Sequence, residues 1–242
     1  MTDNEKSLVL SVAVLGGTGK EGKGLAYRWA RAGYRVLIGS RSSERAVTAA
    51  SEIMSLLDGS SSIVGTNNRE AAEQANIVVL TVPYAAHRDT LESVKDVLKG
   101  KILIDVTAPL VPPKVTKVQM PPAGSAAQEA KEIVGEGVEV VAAFQSISHE
   151  HLLGEEDIEC DVLVTGSSKA ARAEALTLVE AAGTRALADL RNALLRVWEA
   201  HYPLPGGPEA AFSIASEMAE IRWIIRAAMI CSARGSLASL KM

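Results

Sequence analysis

The chain has 242 residues, of which 48% are hydrophobic and 22% are charged, a composition typical of a folded globular protein. Its 25 basic and 29 acidic residues give a formal net charge of −4 at pH 7, which argues against general nucleic-acid binding. The longest stretch without a charged residue is shorter than the about 20 residues of a membrane-spanning helix, and no secretory signal is visible. We therefore expect a cytoplasmic protein that binds neither nucleic acid nor membranes.

Short apolar runs alternate with amphipathic stretches from residue 8 to about residue 165, a pattern typical of βαβ units. The predicted strands are 8–15, 35–39, 62–65, 76–82, 101–106, 138–144 and 160–165. The predicted helices between them are 22–32, 43–57, 68–75, 84–98 and 125–134. Solid aliphatic runs such as residues 77–80 indicate strands that are covered on both faces. We therefore expect an α/β fold with a doubly wound, Rossmann-type, mostly parallel sheet.

The alternation ends after Thr165, and the remaining pattern predicts helices at 168–182, 190–201 and 209–233, with a Pro/Gly-rich break at 203–208. We expect a Rossmann domain over residues 1–166 and a C-terminal helical segment over residues 167–242 that packs on it. The last helix carries an apolar stripe that indicates a core or dimer face, formed by Ile214, Met218, Ile221, Ile225 and Met229.

No metal site is predicted. Cys160 and Cys231 lack the spacing of a zinc motif, and we expect two reduced thiols in packed positions. His149 and His151 flank a glutamate, but no third ligand stands at a recognisable spacing.

A glycine-rich motif at residues 17–22, GTGKEG, directly follows the first predicted strand and opens the first helix. We expect Gly17 to allow the tight turn, Gly19 to let the backbone approach a pyrophosphate, and Gly22 to let the helix pack closely on the strand. The helix N-terminus supplies N–H donors and partial positive charge. The motif in this context predicts a dinucleotide site.

The end of the second strand indicates which dinucleotide binds. An NAD site usually has Asp or Glu there to bind the ribose 2′-hydroxyl, and this chain has neither at that point. Ser40 can donate a hydrogen bond, Arg41 can stack on adenine or bind a 2′-phosphate, and Arg45 adds a second cation. The alternative is a solvated basic helix start that Ser42 or Ser43 caps. We expect NADP(H).

Other loops at the carboxyl ends of the strands complete the predicted cleft. Val82 and Pro83 are expected to line the nicotinamide ribose, with Tyr84 near it. The long loop at residues 105–125 either covers the cleft or lies in solvent. Residues 144–148 combine an amide and hydroxyls with apolar side chains, which suits a planar heterocycle. No Ser-His-Asp order, HExxH motif or clear lysine base occurs, so we predict no catalytic side chain.

Taken together, these motifs resemble the F-420:NADP oxidoreductases, which use NADP and the deazaflavin coenzyme F-420. The resemblance covers about residues 8–187 and is carried by the segments 15–19, 24–26, 39–41, 80–83, 105–107, 124–127 and 143–146. The residues that it implies at the pyrophosphate are Thr18, Gly19, Lys20 and Glu21. Those implied at the 2′-phosphate are Ser40, Arg41 and Arg45. Those implied at the nicotinamide are Val82, Pro83 and Tyr84, and those implied at the deazaflavin are Gln145 and Ile147.

The resemblance implies an enzyme that transfers a hydride between NADPH and coenzyme F-420. It further implies a homodimer in which the hydride passes directly between two stacked rings. Such a transfer agrees with the absence of a predicted catalytic side chain, because positioning alone can supply much of the rate. The chain departs from the family at residues 188–192, where only fragments of a family motif are kept. The alternatives are an NADPH-dependent reductase of a small imine or keto acid, and a non-catalytic NADP-binding sensor.

Overall fold

The computed structural model describes residues 10–57, 61–110 and 119–188. Its strands are β1 (Ser11–Leu15), β2 (Arg35–Ser40), β3 (Ile63–Asn67), β4 (Ile77–Leu80), β5 (Ile102–Asp105), β6 (Glu139–Ala142), β7 (Asp161–Leu163), β8 (Thr165–Gly166) and β9 (Arg185–Leu187). Its α-helices are α1 (Lys20–Arg31), α2 (Ser43–Leu56), α3 (Asn68–Gln74), α4 (Tyr84–Val94), α5 (Ala126–Val134) and α6 (Lys169–Ala181). The predicted helices 190–201 and 209–233, the apolar stripe and Cys231 lie outside the described residues.

The main sheet has seven strands in the order β3-β2-β1-β4-β5-β6-β8. The first six are parallel, and β8 runs antiparallel to β6. The strand order therefore reverses between β1 and β4, which opens a crevice at the carboxyl ends of these two strands. This topology confirms the predicted doubly wound, mostly parallel sheet. Within the described ranges, no helix is both long enough and apolar enough to cross a membrane.

Helices cover both faces of the sheet, which explains why β1 is apolar from Val12 to Leu15. Val12 and Val14 point into a core that they share with α1, α2 and α6, and Trp29 of α1 is fully buried there. Ala13 and Leu15 belong to a second core, which contains residues of α3, α4 and α5. Because side chains alternate along a strand, a strand between two helical layers needs apolar residues at every position.

The predicted strand at 160–165 is wrong as a single element. Its first part, β7, pairs with β9 in a separate two-stranded parallel sheet, whereas β8 pairs with β6. The strand β9 was not predicted, since three residues beginning with Arg185 carry too little apolar pattern. The predicted helix at 84–98 ends as an α-helix at Val94 and continues as a 3-10 turn over Lys95–Val97.

The helix α6 packs directly on the main sheet. Its buried residues Ala171, Ala175, Leu178 and Val179 belong to the same core as Val12 and Val14 on β1. The indole N–H of Trp29 donates to the carbonyl of Leu178 at 2.8 Å, which ties α6 to α1. The division at residue 166 stays a prediction.

Candidate functional site

Two helix N-termini without side-chain caps meet at the crevice between β1 and β4. Gly19 precedes α1 and Pro83 precedes α4, and neither makes a side-chain hydrogen bond to its helix. The other described α-helices are capped by the side chains of Ser42, Asn67, Ser125 and Ser168. Uncapped N–H groups at the positive end of a helix dipole bind anions. The crevice is therefore the candidate site for a phosphorylated ligand.

The turn from β1 to α1 has its left-handed residue at Gly16. Gly16 has φ +75°, and a Cβ added there would lie 2.5 Å from Cγ1 of Val82. A Cβ on Gly17 would lie 2.8 Å from the carbonyl oxygen of Val14, and the N–H of Gly17 donates to the carbonyl of Gly39 at 3.0 Å. Gly17 lies in this turn as predicted, and its N–H closes the turn onto the carbonyl of Val14 at 3.2 Å, but the left-handed residue is Gly16, and Gly17 is needed for close contact with β1 and β2.

The space available for a side chain differs between Gly22 and Gly19. A Cβ on Gly22 would lie 2.6 Å from Oγ1 of Thr81 and 2.8 Å from Cα of Gly17, so only glycine lets α1 approach the strands this closely. The nearest atom to a Cβ on Gly19 is the carbonyl oxygen of Gly16 at 3.5 Å. The backbone at Gly19 is therefore open on that side. This space, beside an uncapped helix N-terminus, fits a pyrophosphate group.

Thr18 belongs to this turn, and Lys20 and Glu21 lie in the first turn of α1. Lys20 is exposed, whereas Thr18 and Glu21 are half-buried. Burial raises the pKa of Glu21 to about 7. A helix N-terminus favours a carboxylate, but removal from water disfavours the charged form, and here the second effect is larger.

We expect Glu21→Gln to stabilise the protein at pH 8 but not at pH 5. The native state holds the Glu21 proton more tightly than the unfolded chain, where the carboxyl has its ordinary pKa of 4.5. The wild-type protein therefore loses stability relative to the variant as the pH rises from 4.5 to about 7, and the difference stays level above that range. It is at most about 3 kcal/mol. Urea unfolding of both proteins at the two pH values measures it.

Glu132→Gln, which changes an exposed glutamate of α5, is the matched control and should show little difference between the two pH values. Equal stabilisation by Glu21→Gln at pH 5 and pH 8 would contradict the raised pKa of Glu21.

The corner after β2 contains Ser40, Arg41 and Arg45. Ser40 is buried, and its Oγ accepts the N–H of Ser42 at 3.3 Å, which leaves the hydroxyl proton of Ser40 to donate elsewhere. Arg41 and Arg45 are exposed. Ser42 caps α2 by accepting the N–H of Arg45, and it donates to the carboxylate of Glu44 at 2.6 Å. The hydrogen bond from Ser42 lowers the pKa of Glu44, which favours the charged form of this side chain. This corner therefore also contains a carboxylate that the sequence interpretation did not consider.

Pro83 is exposed and Tyr84 half-buried, and the ring of Tyr84 is held from a neighbouring helix. Its hydroxyl donates to Oε2 of Glu129 on α5 at 2.8 Å, and Arg88 donates to Oε1 of the same carboxylate at 2.7 Å. Burial by itself would raise the pKa of Glu129, but the hydrogen bonds from Tyr84 and Arg88 lower it. Burial and the bond to Glu129 raise the pKa of Tyr84. The orientation of Tyr84 therefore depends on two residues that the sequence did not indicate.

A buried polar network lies at the carboxyl end of β5. Nε2 of His87 is 3.0 Å from Oδ2 of Asp105, and both side chains are at most 1% exposed. The N–H of Thr107 donates to Oδ1 of Asp105 at 3.0 Å. The side-chain nitrogen of Gln145 donates to the backbone carbonyl of Asp105 at 2.7 Å. Gln145 is thus linked to the end of a different strand from the one that it follows.

The segment after β6 begins with a strained residue. Phe144 has φ +70°, which is uncommon for a residue other than glycine, and its buried ring meets Trp29 edge to face with the ring centroids 5.8 Å apart. The N–H of Ile147 donates to the carbonyl of Phe144 at 3.1 Å, which closes a turn around the exposed Gln145. Ile147 is half-buried against the core that contains Trp29. Farther along, His149–His151 form a 3-10 turn.

The structure brings several predicted site segments together. The side chain of Val82 contacts the turn at Gly16, and the N–H of Gly17 binds the end of β2 just before Ser40. Gln145 reaches the end of β5. Residues 111–118 of the predicted loop lie outside the described residues. Sequence reasoning missed His87 and Asp105 as site-forming residues, although an aspartate at the end of an apolar strand was a usable signal. In the described part of the chain, no group of three or more His, Cys, Asp or Glu could hold a metal ion.

Comparisons with known proteins agree with the resemblance. The family described as "NADP oxidoreductase coenzyme F420-dependent" matches residues 11–109. An "F420-dependent NADP reductase" from Methanothermobacter marburgensis is 40% identical over 204 residues, which is 81% of this chain and 90% of that protein. A protein of the same name from Methanocaldococcus jannaschii is 34% identical over 203 residues, with the same coverage of 81% and 90%.

A solved structure of a proposed F420-dependent NADP reductase from Arthrobacter sp. FB24 shares the fold. It superimposes with a TM-score of 0.61 at 24% sequence identity, over 79% of this chain and 94% of the other. With relatives of 34% and 40% identity that are matched over 90% of their length, the chain belongs to the family of F420-dependent NADP oxidoreductases.

Proposed function

We propose that the protein transfers a hydride between NADPH and coenzyme F-420. The observation that carries the proposal is the crevice at the strand switch, which has an uncapped helix N-terminus on each side and the Gln145 segment at the end of β6. The relatives named F420-dependent NADP reductase support the same reaction. When bound, the two cofactors would supply the hydride donor and the hydride acceptor.

The NADP site proposed here uses the turn before α1 and the corner after β2. Because Gly17 and Gly19 have no side chains, a pyrophosphate can approach the backbone N–H groups of Thr18, Lys20 and Glu21. Ser40 would donate its free hydroxyl proton to the 2′-phosphate. Arg41 and Arg45 would add two cations, for which a phosphate is a better partner than a ribose hydroxyl.

The proposed ring site lies between α4 and the segment after β6. Val82, Pro83 and Tyr84 would border the nicotinamide, and Gln145 and Ile147 would contact the deazaflavin. These side chains bind and orient the rings, and no side chain is assigned as acid, base or nucleophile. Holding two reactants in one geometry converts a bimolecular step into an effectively unimolecular one, which can supply much of the rate.

A spectroscopic assay tests the reaction. The protein is mixed with NADPH and oxidised coenzyme F-420, and the visible absorbance of the deazaflavin is followed. Loss of that absorbance, dependent on both NADPH and protein, is the expected result. NADPH binding without hydride transfer would favour a sensor. Transfer to a small imine or keto acid, but not to coenzyme F-420, would favour the other reductase.

Arg41→Ala is expected to weaken NADPH binding by about 1.5–3 kcal/mol, the range for a hydrogen bond to a charged group, or about 10- to 150-fold in Kd. NADH, which lacks the 2′-phosphate, should bind almost unchanged. Fluorescence titration with both nucleotides measures the effect. Arg35→Ala is the control, because Arg35 begins β2 at the opposite edge of the sheet and should affect neither nucleotide. Equal losses for NADPH and NADH in Arg41→Ala would contradict the assignment.

We further propose a homodimer, as the resemblance implies, and a cytoplasmic location, with residues 1–166 as the NADP-binding domain and residues 167–242 packed on it. The stripe from Ile214 to Met229 is the proposed dimer face. Light scattering of Ile221→Asp tests this face, because an unpaired charge in an apolar contact should dissociate the dimer or unfold the chain. A stable, fully dimeric variant would exclude it.

A further inference from the structure

The buried pair of His87 and Asp105 joins α4, which borders the proposed ring site, to the end of β5, to which Gln145 is bound. His87 belongs to α4, which begins at Pro83, and Asp105 ends β5. A buried carboxylate is costly unless it is paired and hydrogen-bonded, and Asp105 has both His87 and the N–H of Thr107 as partners. Because a carboxylate only accepts, Nε2 of His87 is the donor. The bond from His87 joins the carboxylate to α4, and the bond from Thr107, two residues farther along the same loop, fixes the turn at the end of β5.

The backbone carbonyl of Asp105 decides which way the amide of Gln145 points. This carbonyl accepts the N–H of Ala143 at 3.3 Å and the side chain of Gln145 at 2.7 Å. A carbonyl can only accept, so the atom of Gln145 that faces it must be Nε2. The side-chain oxygen is then left over, and among the described residues it has no hydrogen-bond partner. Gln145 is exposed, so this oxygen is available to a ligand.

The backbone at Phe144 makes this arrangement specific. A left-handed residue other than glycine costs about 1–3 kcal/mol, so it persists only where the surroundings hold it. Phe144 is held by its ring, which is buried against Trp29. The reversal at Phe144, two residues after the end of β6, directs the next side chain, Gln145, to the end of β5.

We infer that His87 and Asp105 are positioning residues that hold the end of β5, so that Gln145 binds the protein through its amide nitrogen and presents its amide oxygen to the ligand. An acceptor fixed in this way selects a planar heterocycle that carries an N–H donor on its edge. The inference rests on the proposed function for the identity of that ring, the deazaflavin. It adds which ring feature is selected and which buried residues enforce the selection.

A double-mutant cycle separates positioning from a merely structural role. His87→Leu should raise the Kd for coenzyme F-420 by about 10-fold, a coupling of the size seen in connected networks, and leave the Kd for NADPH within about two-fold. In the Gln145→Met background, His87→Leu should change the coenzyme Kd by less than about two-fold, because the amide that it positions is gone. If His87→Leu does not fold, Asp105→Asn, which keeps the shape of the side chain, takes its place in the cycle.

Asn76→Ala is the matched control. Asn76 also joins two elements through side-chain hydrogen bonds, with Oδ1 accepting the N–H and the hydroxyl of the buried Ser11 at 3.0 and 2.7 Å, but it lies at the opposite edge of the sheet. Asn76→Ala should change the Kd for coenzyme F-420 by the same factor in the wild-type protein and in the Gln145→Met background. Additive effects of His87→Leu and Gln145→Met, or equal losses of both cofactors, would overturn the positioning role.

Two further measurements do not depend on turnover. In the free protein, the side-chain amide resonance of Gln145, identified by its loss in Gln145→Met, should shift in His87→Leu and stay unchanged in Asn76→Ala. A coenzyme analogue methylated at its ring N–H should bind the wild-type protein less tightly than the coenzyme does, and Gln145→Met should not distinguish the two.

The outcomes distinguish the two proposals. An unmoved amide resonance, or wild-type protein that binds the methylated analogue as tightly as the coenzyme, overturns the inference while the proposed function stands. A resonance that responds to His87→Leu in a protein that neither binds nor reduces the coenzyme overturns the proposed function, and with it the ring that was named.

Discussion

Gly22→Ala is expected to lower the free energy of unfolding by about 1–3 kcal/mol, the usual cost of overpacking a close contact. Alanine by itself would favour the helix by about 1 kcal/mol over glycine. The added Cβ, however, would lie 2.6 Å from Oγ1 of Thr81 and 2.8 Å from Cα of Gly17. Because the Cα of Gly17 is a backbone atom, it cannot rotate out of the way as a side chain can. We therefore expect α1 to move away from the strands and NADPH to bind less tightly.

Gly19→Ala is the matched control, since a Cβ there meets nothing closer than the carbonyl of Gly16 at 3.5 Å. It should leave the unfolding free energy nearly unchanged and weaken NADPH binding only, because the methyl group occupies the space next to the open N–H groups. Urea unfolding and nucleotide titration on the same two variants measure both effects. Gly22→Ala as stable as the wild type would show that the helix can shift at no cost.

Arg28→Ala is expected to lower the free energy of unfolding by about 3 kcal/mol or more, since hydrogen bonds to a charged group contribute about 1.5–3 kcal/mol each. Arg28 is a buried residue of α1, and its guanidinium donates to the carbonyls of His151, Leu152 and Glu156, each at 2.8 Å. The variant leaves these carbonyls without that donor. Chemical unfolding, with hydrogen exchange of residues 151–157, measures the loss of stability and locates it.

Arg31→Ala is the matched control, because Arg31 joins the same helix to the same loop through an exposed side chain. Arg31 is exposed and donates to the carbonyl of Glu155 at 2.6 Å, so its loss should cost less than about 0.5 kcal/mol, as surface changes usually do. Arg28→Lys keeps the charge but not the planar fork of five donors, and should recover only part of the stability. Comparable losses in the variants of Arg28 and Arg31 would show that burial does not decide their contributions.

Local patterns in the sequence determined the alternation of strands and helices and the place of the glycine-rich turn. The run of apolar residues from Val12 to Leu15 needs two covered faces, and the glycines that follow indicate a close turn into a helix. The basic corner around Arg41 was also visible, because it follows directly from the end of one strand. Each of these features depends on residues that are near one another in the chain.

The tertiary structure decided which distant residues meet. His87 and Asp105 are 18 positions apart, and Asp105 and Gln145 are 40 apart. Position 16 requires glycine both because its backbone is left-handed and because Val82 occupies the space beside it. The stretch at 160–165 divides between two sheets because β9 and β6 each offer a free edge to part of it. Hydrophobic periodicity specifies which side of a strand is buried, but hydrogen-bond partners depend on strand order, which a local pattern does not contain.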